Sequence, residues 1–254
     1  MCEKVCPNNQ IVKKFKPIAW QEGWATEKIR DDASSGGAAS SLMKYFVENG
    51  GYVATCLFRQ GEFVFEITNK LEELINFSGS KYVKSNPLGI YAKVIEKLKN
   101  GDKVLFIGLP CQVAAMKNSI LPNASKEHLY TVDLICHGSP SPRILNMALE
   151  EKGVDIKKLS KIRFRNKTKF GLSSQHIGQA YKTLTPKGTQ DMYTYAFLKS
   201  LDYTENCYSC QYATIERVAD VTIGDSWGSD LSDDEKRNGI SLLLCQTQKG
   251  LDIV

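Results

Sequence analysis

Eight cysteines stand at positions 2, 6, 56, 111, 136, 207, 210 and 245 of this 254-residue chain. Cys207 and Cys210 form a C-x2-C pair in CYSC. Two thiolates at that spacing in a loop can chelate one metal ion or one iron–sulfur cluster, and a four-cysteine set needs two more ligands. Cys111 in GLPCQ and Cys136 in ICHG can supply them. Each follows a buried-strand pattern at a Gly- or Pro-containing turn, where backbone N–H groups can face the sulfur and tune a cluster's potential. Spacing alone leaves two other readings open. The cysteines can be small buried hydrophobes beside a surface pair, or the pair can be thioredoxin-like. A thioredoxin-like motif opens a helix after a strand, and TENCYSCQYATIE does not read that way. Cys56 and Cys245 sit inside apolar strand patterns and read as core residues.

The opening MCEKVCPNN sets Cys2 and Cys6 as C-x3-C-P, the tail of the ferredoxin run C-x2-C-x2-C-x3-C-P. The first two cysteines of that run would lie upstream of residue 1. The chain is therefore expected to start inside the motif, and Cys2 and Cys6 to hold a cluster only where those upstream ligands exist. An even cysteine count invites a disulfide framework, but that suits small secreted domains. No signal peptide precedes Cys2, so the cytoplasm is expected, with metal or redox chemistry for the thiols.

Other stretches offer anion and cofactor contacts. In RDDASSGGAASS, Ser34, Ser35, Gly36 and Gly37 lead into a helix, and small residues there let backbone N–H groups approach a phosphate. A plain N-cap with a flexible lead-in fits the same residues. SGSKYVKS sets Lys81, Tyr82 and Lys84 among hydroxyl residues, as a phosphate or flavin edge or as a solvated loop. RFRNKTKFG gathers Arg163, Arg165, Lys167 and Lys169. On a strand the two arginines share a face and can form an anion-binding edge, though such runs are commonly solvated. His137 can shuttle a proton beside Cys136, or be structural. Asp225 in IGDSWG stands at a strand end, as a cofactor contact or a turn residue.

The elements that must position these groups read as α/β. SSGGAASSLMKYFVENGG predicts a helix capped by Ser34 or Ser35, and YVATCLF and EFVFEIT a hairpin. PLGIYAKVIEKLKNG predicts an amphipathic helix. KVLFIGL and then PCQVAAMKNSI, LYTVDLIC and then HGSPSPRILNMALEEKG, give strand–turn–helix twice. KIRFRNK, ADVTIGDSWG and SLLLCQT read as strands, MYTYAFLKSL as a short helix and ENCYSCQYA as a loop. The expected fold is α/β, a mixed, partly parallel sheet flanked by helices, with a short N-terminal ferredoxin remnant. Residues 1–18 are expected to form the remnant and linker, 19–98 the N-terminal part of the main domain, and 99–254 its C-terminal part, with Cys111, Cys136, Cys207 and Cys210. Ligands of such sheets gather at the carboxyl ends of strands, where Cys111 and Cys136 fall.

Composition is that of an ordinary globular protein, 42% hydrophobic and 24% charged. The net charge of +5 is too mild to indicate nucleic acid, and no nucleic-acid motif is present. The apolar runs are too short to span a bilayer.

Taken in order, SSGGAASSL, SGSKYVKS, GLPCQVAAMK, DLICHGSPSP, RFRNKTKFG, CYSCQYA and ADVTIGDSWG resemble the coenzyme F420 hydrogenase/dehydrogenase beta-subunit family. The resemblance implies a FAD-dependent oxidoreductase with a [4Fe-4S] cluster. It implies Cys111, Cys136, Cys207 and Cys210 as cluster ligands. It also implies Ser34–Gly37, Lys81, Tyr82 and Ser85 as flavin-site positions. It further implies a small-molecule substrate and an iron–sulfur or ferredoxin-type electron-transfer partner, and leaves room for a homo-oligomer. A zinc-stabilised binding module, or an inactive fragment of a longer enzyme, is the alternative.

Overall fold

The structure is a computed structural model that describes residues 2–10, 12–120, 124–185 and 188–254, the side chains of Cys2 and Lys4 excepted. Ten strands occur among them: β1 (Ala19–Gly23), β2 (Tyr52–Arg59), β3 (Glu62–Thr68), β4 (Val104–Gly108), β5 (Leu129–Leu134), β6 (Leu159–Asn166), β7 (Lys169–His176), β8 (Lys182–Thr183), β9 (Val221–Asp225) and β10 (Ser241–Cys245). Seven build one mixed sheet in the order β1-β10-β9-β5-β4-β2-β3. Its centre, β2, β4, β5 and β9, is parallel, and β3, β10 and β1 add antiparallel pairs towards the edges. The expected α/β architecture, partly parallel with flanking helices, is the one found.

The central strand explains the layering. Every residue of β4, VLFIG, is buried, as strands covered on both faces require. Side chains alternate across a strand. Val104 and Phe106 therefore meet the helices Ile90–Lys99 and Pro110–Ser119 through Val94, Leu98, Val113 and Met116. Leu105 and Ile107 face the helix Ala38–Glu48 through Leu42, Met43 and Phe46. A third cluster holds Phe164, Leu172, Leu145 and Tyr193. It joins the helix Pro142–Glu150 to a separate sheet of β6, β7 and β8.

Two local expectations are corrected. Ser34 and Ser35 do not cap the helix Ala38–Glu48: Gly37, at φ 89°, occupies its N-cap. The hydroxyls are spent elsewhere, Ser34 Oγ accepting from Ser80 N (2.8 Å) and Ser35 Oγ donating to the Ile240 carbonyl (3.0 Å). CYSC is not all loop, since Glu205–Tyr208 form a helical turn begun at Thr204. KFGLSSQH, a run with Ser173, Ser174 and Gln175 in it, is β7, the middle strand of the second sheet. Among the described residues no helix is long and apolar enough to cross a membrane.

Candidate functional site

β4 and β5 are parallel neighbours, so their carboxyl ends lie at one edge of the sheet. Cys111 opens the helix that leaves β4, and Cys136 follows β5 by two residues. The CYSC turn is brought to them by backbone pairing: Pro140 bridges Tyr203, and Thr204 N donates to the Ser139 carbonyl (3.1 Å). Cys207 is held by Thr204, through its amide (2.8 Å) and through an Sγ–Oγ1 contact of 3.3 Å. Cys136 Sγ donates to the Gly138 carbonyl (3.7 Å).

All four cysteines are free thiols and half-buried. Burial pushes Cys111 up to about 12, and the nearby Cys136, Cys210 and Cys207 add to the rise. Cys136 is raised in the same way, first by burial and also by Cys207 and Cys210. Such thiols stay protonated until an electrophilic metal displaces the proton.

Gly138 makes the turn after Cys136 fit. Its φ is +146°, and a Cβ there would stand 2.1 Å from the Tyr203 ring. Tyr203 Oη donates to the Phe197 carbonyl (3.0 Å), accepts from Ser200 Oγ (3.1 Å) and bonds His137 Nδ1.

Beside β6 lies an open cleft of about 730 Å³, whose walls include Ser34, Lys81, Arg163 and Arg165. A second cavity of about 490 Å³ is lined by Ser35, Arg165, Asp225 and Trp227, among others. Arg165 is thus common to both. It is 4% exposed and bidentate to Asp225 (2.5 and 3.2 Å), and it donates to Tyr82 Oη (3.2 Å) and the Lys167 carbonyl (2.7 Å). Its guanidinium also lies over the rings of Phe170 and Trp227. Arg163 is less committed, with a 3.8 Å contact to Asp32 and its guanidinium over Tyr181. Lys81 does not offer a free ammonium. Its Nζ donates to the carbonyls of Phe77, Ser78 and Gly79 (2.9, 3.2 and 2.8 Å), filling all three donors and shaping the loop.

The remaining expected residues are spread out. Gly36 packs where a Cβ would come within 2.7 Å of the Gly23 carbonyl, and Gly37 lies against Ala25, so neither lines a cavity. The Tyr82 ring is stacked between Phe170 (5.9 Å) and Phe197 (4.6 Å), and Phe197 in turn touches the ring of His137 (4.7 Å). Ser85 accepts from Gln112 Nε2 (2.9 Å), while Gln112 Oε1 accepts from Leu109 N at the start of the Cys111 helix. Lys84 Nζ contacts Thr204 and Asn206 beside Cys207. SGSKYVKS therefore reaches from the cleft at Lys81 to the four thiols at Lys84 and Ser85. His137 stands at the thiols and Asp225 at the second cavity, so they do not share a site. Cys245 is fully buried, as expected. Cys56 is half-buried, its thiol raised by burial and close to Lys81 and Ser85. Cys6 is half-buried near Tyr212; the side chain of Cys2 lies outside the described residues.

Gln112 escaped attention in the sequence although it carries a signal, a Gln at the third position of a helix that opens with Pro. Tyr203 and Tyr212 carry none, because their roles come from long-range contacts.

Residues 21–90 match the amino-terminal model, and residues 101–254 the carboxyl-terminal model, of the coenzyme F420 hydrogenase/dehydrogenase beta subunit. Among solved structures, the chain is similar to a chain of the F420-reducing [NiFe] hydrogenase complex from Methanosarcina barkeri, studied by xenon derivatization. The TM-score is 0.66 at 19% identity, over 94% of this chain and 78% of that one, a likeness of fold. No protein of curated function matches the sequence.

Proposed function

The chain belongs to the coenzyme F420 hydrogenase/dehydrogenase beta-subunit family, a family of oxidoreductase subunits, and on that footing we propose that it is a FAD-dependent iron–sulfur oxidoreductase. It passes electrons between a hydride-exchanging small molecule, deazaflavin-like in chemistry, and an iron–sulfur or ferredoxin-type partner. Its setting is the cytoplasm, where thiols stay reduced.

The observation that carries the proposal is the meeting of the β4 and β5 ends, which bear Cys111 and Cys136, with the CYSC turn, fastened there by the Pro140–Tyr203 bridge and the Thr204 N–Ser139 carbonyl bond. The family match favours a [4Fe-4S] cluster over a zinc-stabilised binding module.

When bound, FAD supplies two-electron exchange with the substrate and the cluster supplies single-electron steps. The chain's own work is placement. Arg163, with a long ion pair to Asp32 and its guanidinium over the Tyr181 ring, is the cation available to a flavin phosphate. Ser34 and Lys81 shape the loop wall opposite it, and Arg165, held by Asp225 and Tyr82, closes the wall between the two cavities. Tyr82 and Ser85 link that wall to the cysteines. Asp225 lines a cavity a substrate can enter, which His137 does not. Cys2 and Cys6 complete a further cluster only with ligands from outside this sequence.

The test is anaerobic purification with assay of iron, sulfide, zinc and released flavin, for the wild type and for Cys207→Ser. The wild type should carry FAD and iron with matching sulfide, and the variant should keep FAD but lose the iron. A full iron load and unchanged spectrum in Cys207→Ser would sink the ligand assignment. Zinc without flavin would favour the binding module.

A further inference from the structure

Arg217 belongs to none of the motifs above, yet it is 6% exposed and its guanidinium is fully engaged. Nε and Nη2 donate to Asp133 Oδ1 (3.2 and 3.0 Å), and Nη2 also to the Leu134 carbonyl (2.9 Å). Nη1 donates to the carbonyls of Tyr212 (3.2 Å) and Thr214 (3.4 Å). Asp133 and Leu134 end β5, just ahead of Cys136. Tyr212 and Thr214 lie on the segment leaving Cys210. The backbone of Arg217 also pairs with Phe15 in both directions (2.8 and 2.9 Å), which fastens the amino-terminal segment at the same point.

The planar fork brings five donors to four acceptors on two separate segments at once, more than the three donors of a lysine ammonium can serve. We infer that Arg217 is the positioning residue of the four-thiol site, locking the strand end that delivers Cys136 to the segment that leaves Cys210. The inference rests on the reading of the four cysteines as one site. It differs from the simpler role of a core ion pair, which would stabilise the whole fold without favouring these two segments.

Hydrogen exchange on the full, unloaded chain separates the two roles. Arg217→Lys keeps the charge beside Asp133 and loses the fork. Loss of a charge-assisted hydrogen bond should speed exchange at least ~10-fold in residues 134–138 and 207–214, with β2 and β4 unchanged. No change, or an equal change everywhere, overturns the inference. A second variant, Asp133→Asn with Arg217→Gln, removes both charges and strands neither, so it stays folded where Arg217→Gln alone would leave a buried carboxylate unpaired. It should show the same local loosening. In protein loaded with iron and sulfide, the double variant should shift the one-electron midpoint by ~59 mV or more, a tenfold change in the oxidised-to-reduced ratio. Unchanged exchange with an unchanged midpoint refutes the role. If the wild type takes up no cluster, the cluster reading falls, and the exchange experiment still decides what Arg217 does.

Discussion

Replacing Arg165 by Met tests the wall between the two cavities. The Arg165 side chain is 2% exposed and that of Asp225 is 23% exposed. The substitution removes two hydrogen bonds to a carboxylate, and each such bond contributes about 1.5–3 kcal/mol. Asp225 can recover part of its hydration through its exposed edge, so the net loss falls at the low end, about 3 kcal/mol. For a chain of this size that lowers Tm by roughly 6–12 °C. The assay is urea and thermal unfolding of Arg165→Met, Asp225→Asn and the double variant, combined as a cycle. Direct contact should give a coupling of roughly 1.5–3 kcal/mol, with the double variant more stable than the sum of the singles implies. A coupling below about 0.5 kcal/mol would refute the claim that this pair holds the wall. On the functional reading, FAD uptake should weaken in both single variants.

Gly138→Ala forces a Cβ to 2.1 Å from the Tyr203 ring at a φ of +146°. Overpacking and backbone strain together should cost roughly 3 kcal/mol; an unshifted urea midpoint would mean that Tyr203 swings aside freely. Asp191 caps the helix Met192–Leu198 and accepts from Thr194 N (2.8 Å), Thr185 Oγ1 (2.7 Å) and Leu172 N (3.1 Å). Burial acts to raise its carboxyl, but the hydrogen bonds outweigh burial and hold it below the usual carboxylate range. Its contribution is therefore complete above the unfolded value of about 3.9 and is lost as pH falls through the lower folded value. Asp191→Asn keeps a capping side chain but loses the charge that strengthens its hydrogen bonds, so it should be about 1 kcal/mol less stable at neutral pH, and the gap should close in acid. A gap that widens on acidification in urea titrations contradicts that sign.

Much of the parallel centre was legible because its signals are local. VLFIG could only be a strand buried on both faces, and the amphipathic pattern of Ile90–Lys99 placed its helix. The four cysteines could be picked out because two strand ends and a C-x2-C pair are each visible in short windows. What escaped depends on partners far along the chain. β7 alternates weakly, with Ser173, Ser174 and Gln175 in its run, and becomes a strand because β6 and β8 flank it. Ser34 and Ser35 look like caps until Ser80 and Ile240 claim their hydroxyls. Lys81 looks like an anion-binding lysine until three carbonyls close round its ammonium. Arg217 has no sequence signal at all, because its acceptors lie on strand β5 and on a loop.

The pairing of β1 with β10 sets Ala19 opposite Cys245, so the first strand of the sheet waits for the last. On a ribosome adding about 5–20 residues per second, that wait is on the order of ten to forty seconds. Throughout it, β1 offers an unpaired backbone edge with Ile18 and Trp20, both still well exposed in the finished fold. A nascent chain stalled before Ser241 would present two open edges, its own β1 and the outer side of β9. The sheet therefore closes only when β10 arrives, and until then two backbone edges stay open to pairing with any other extended chain.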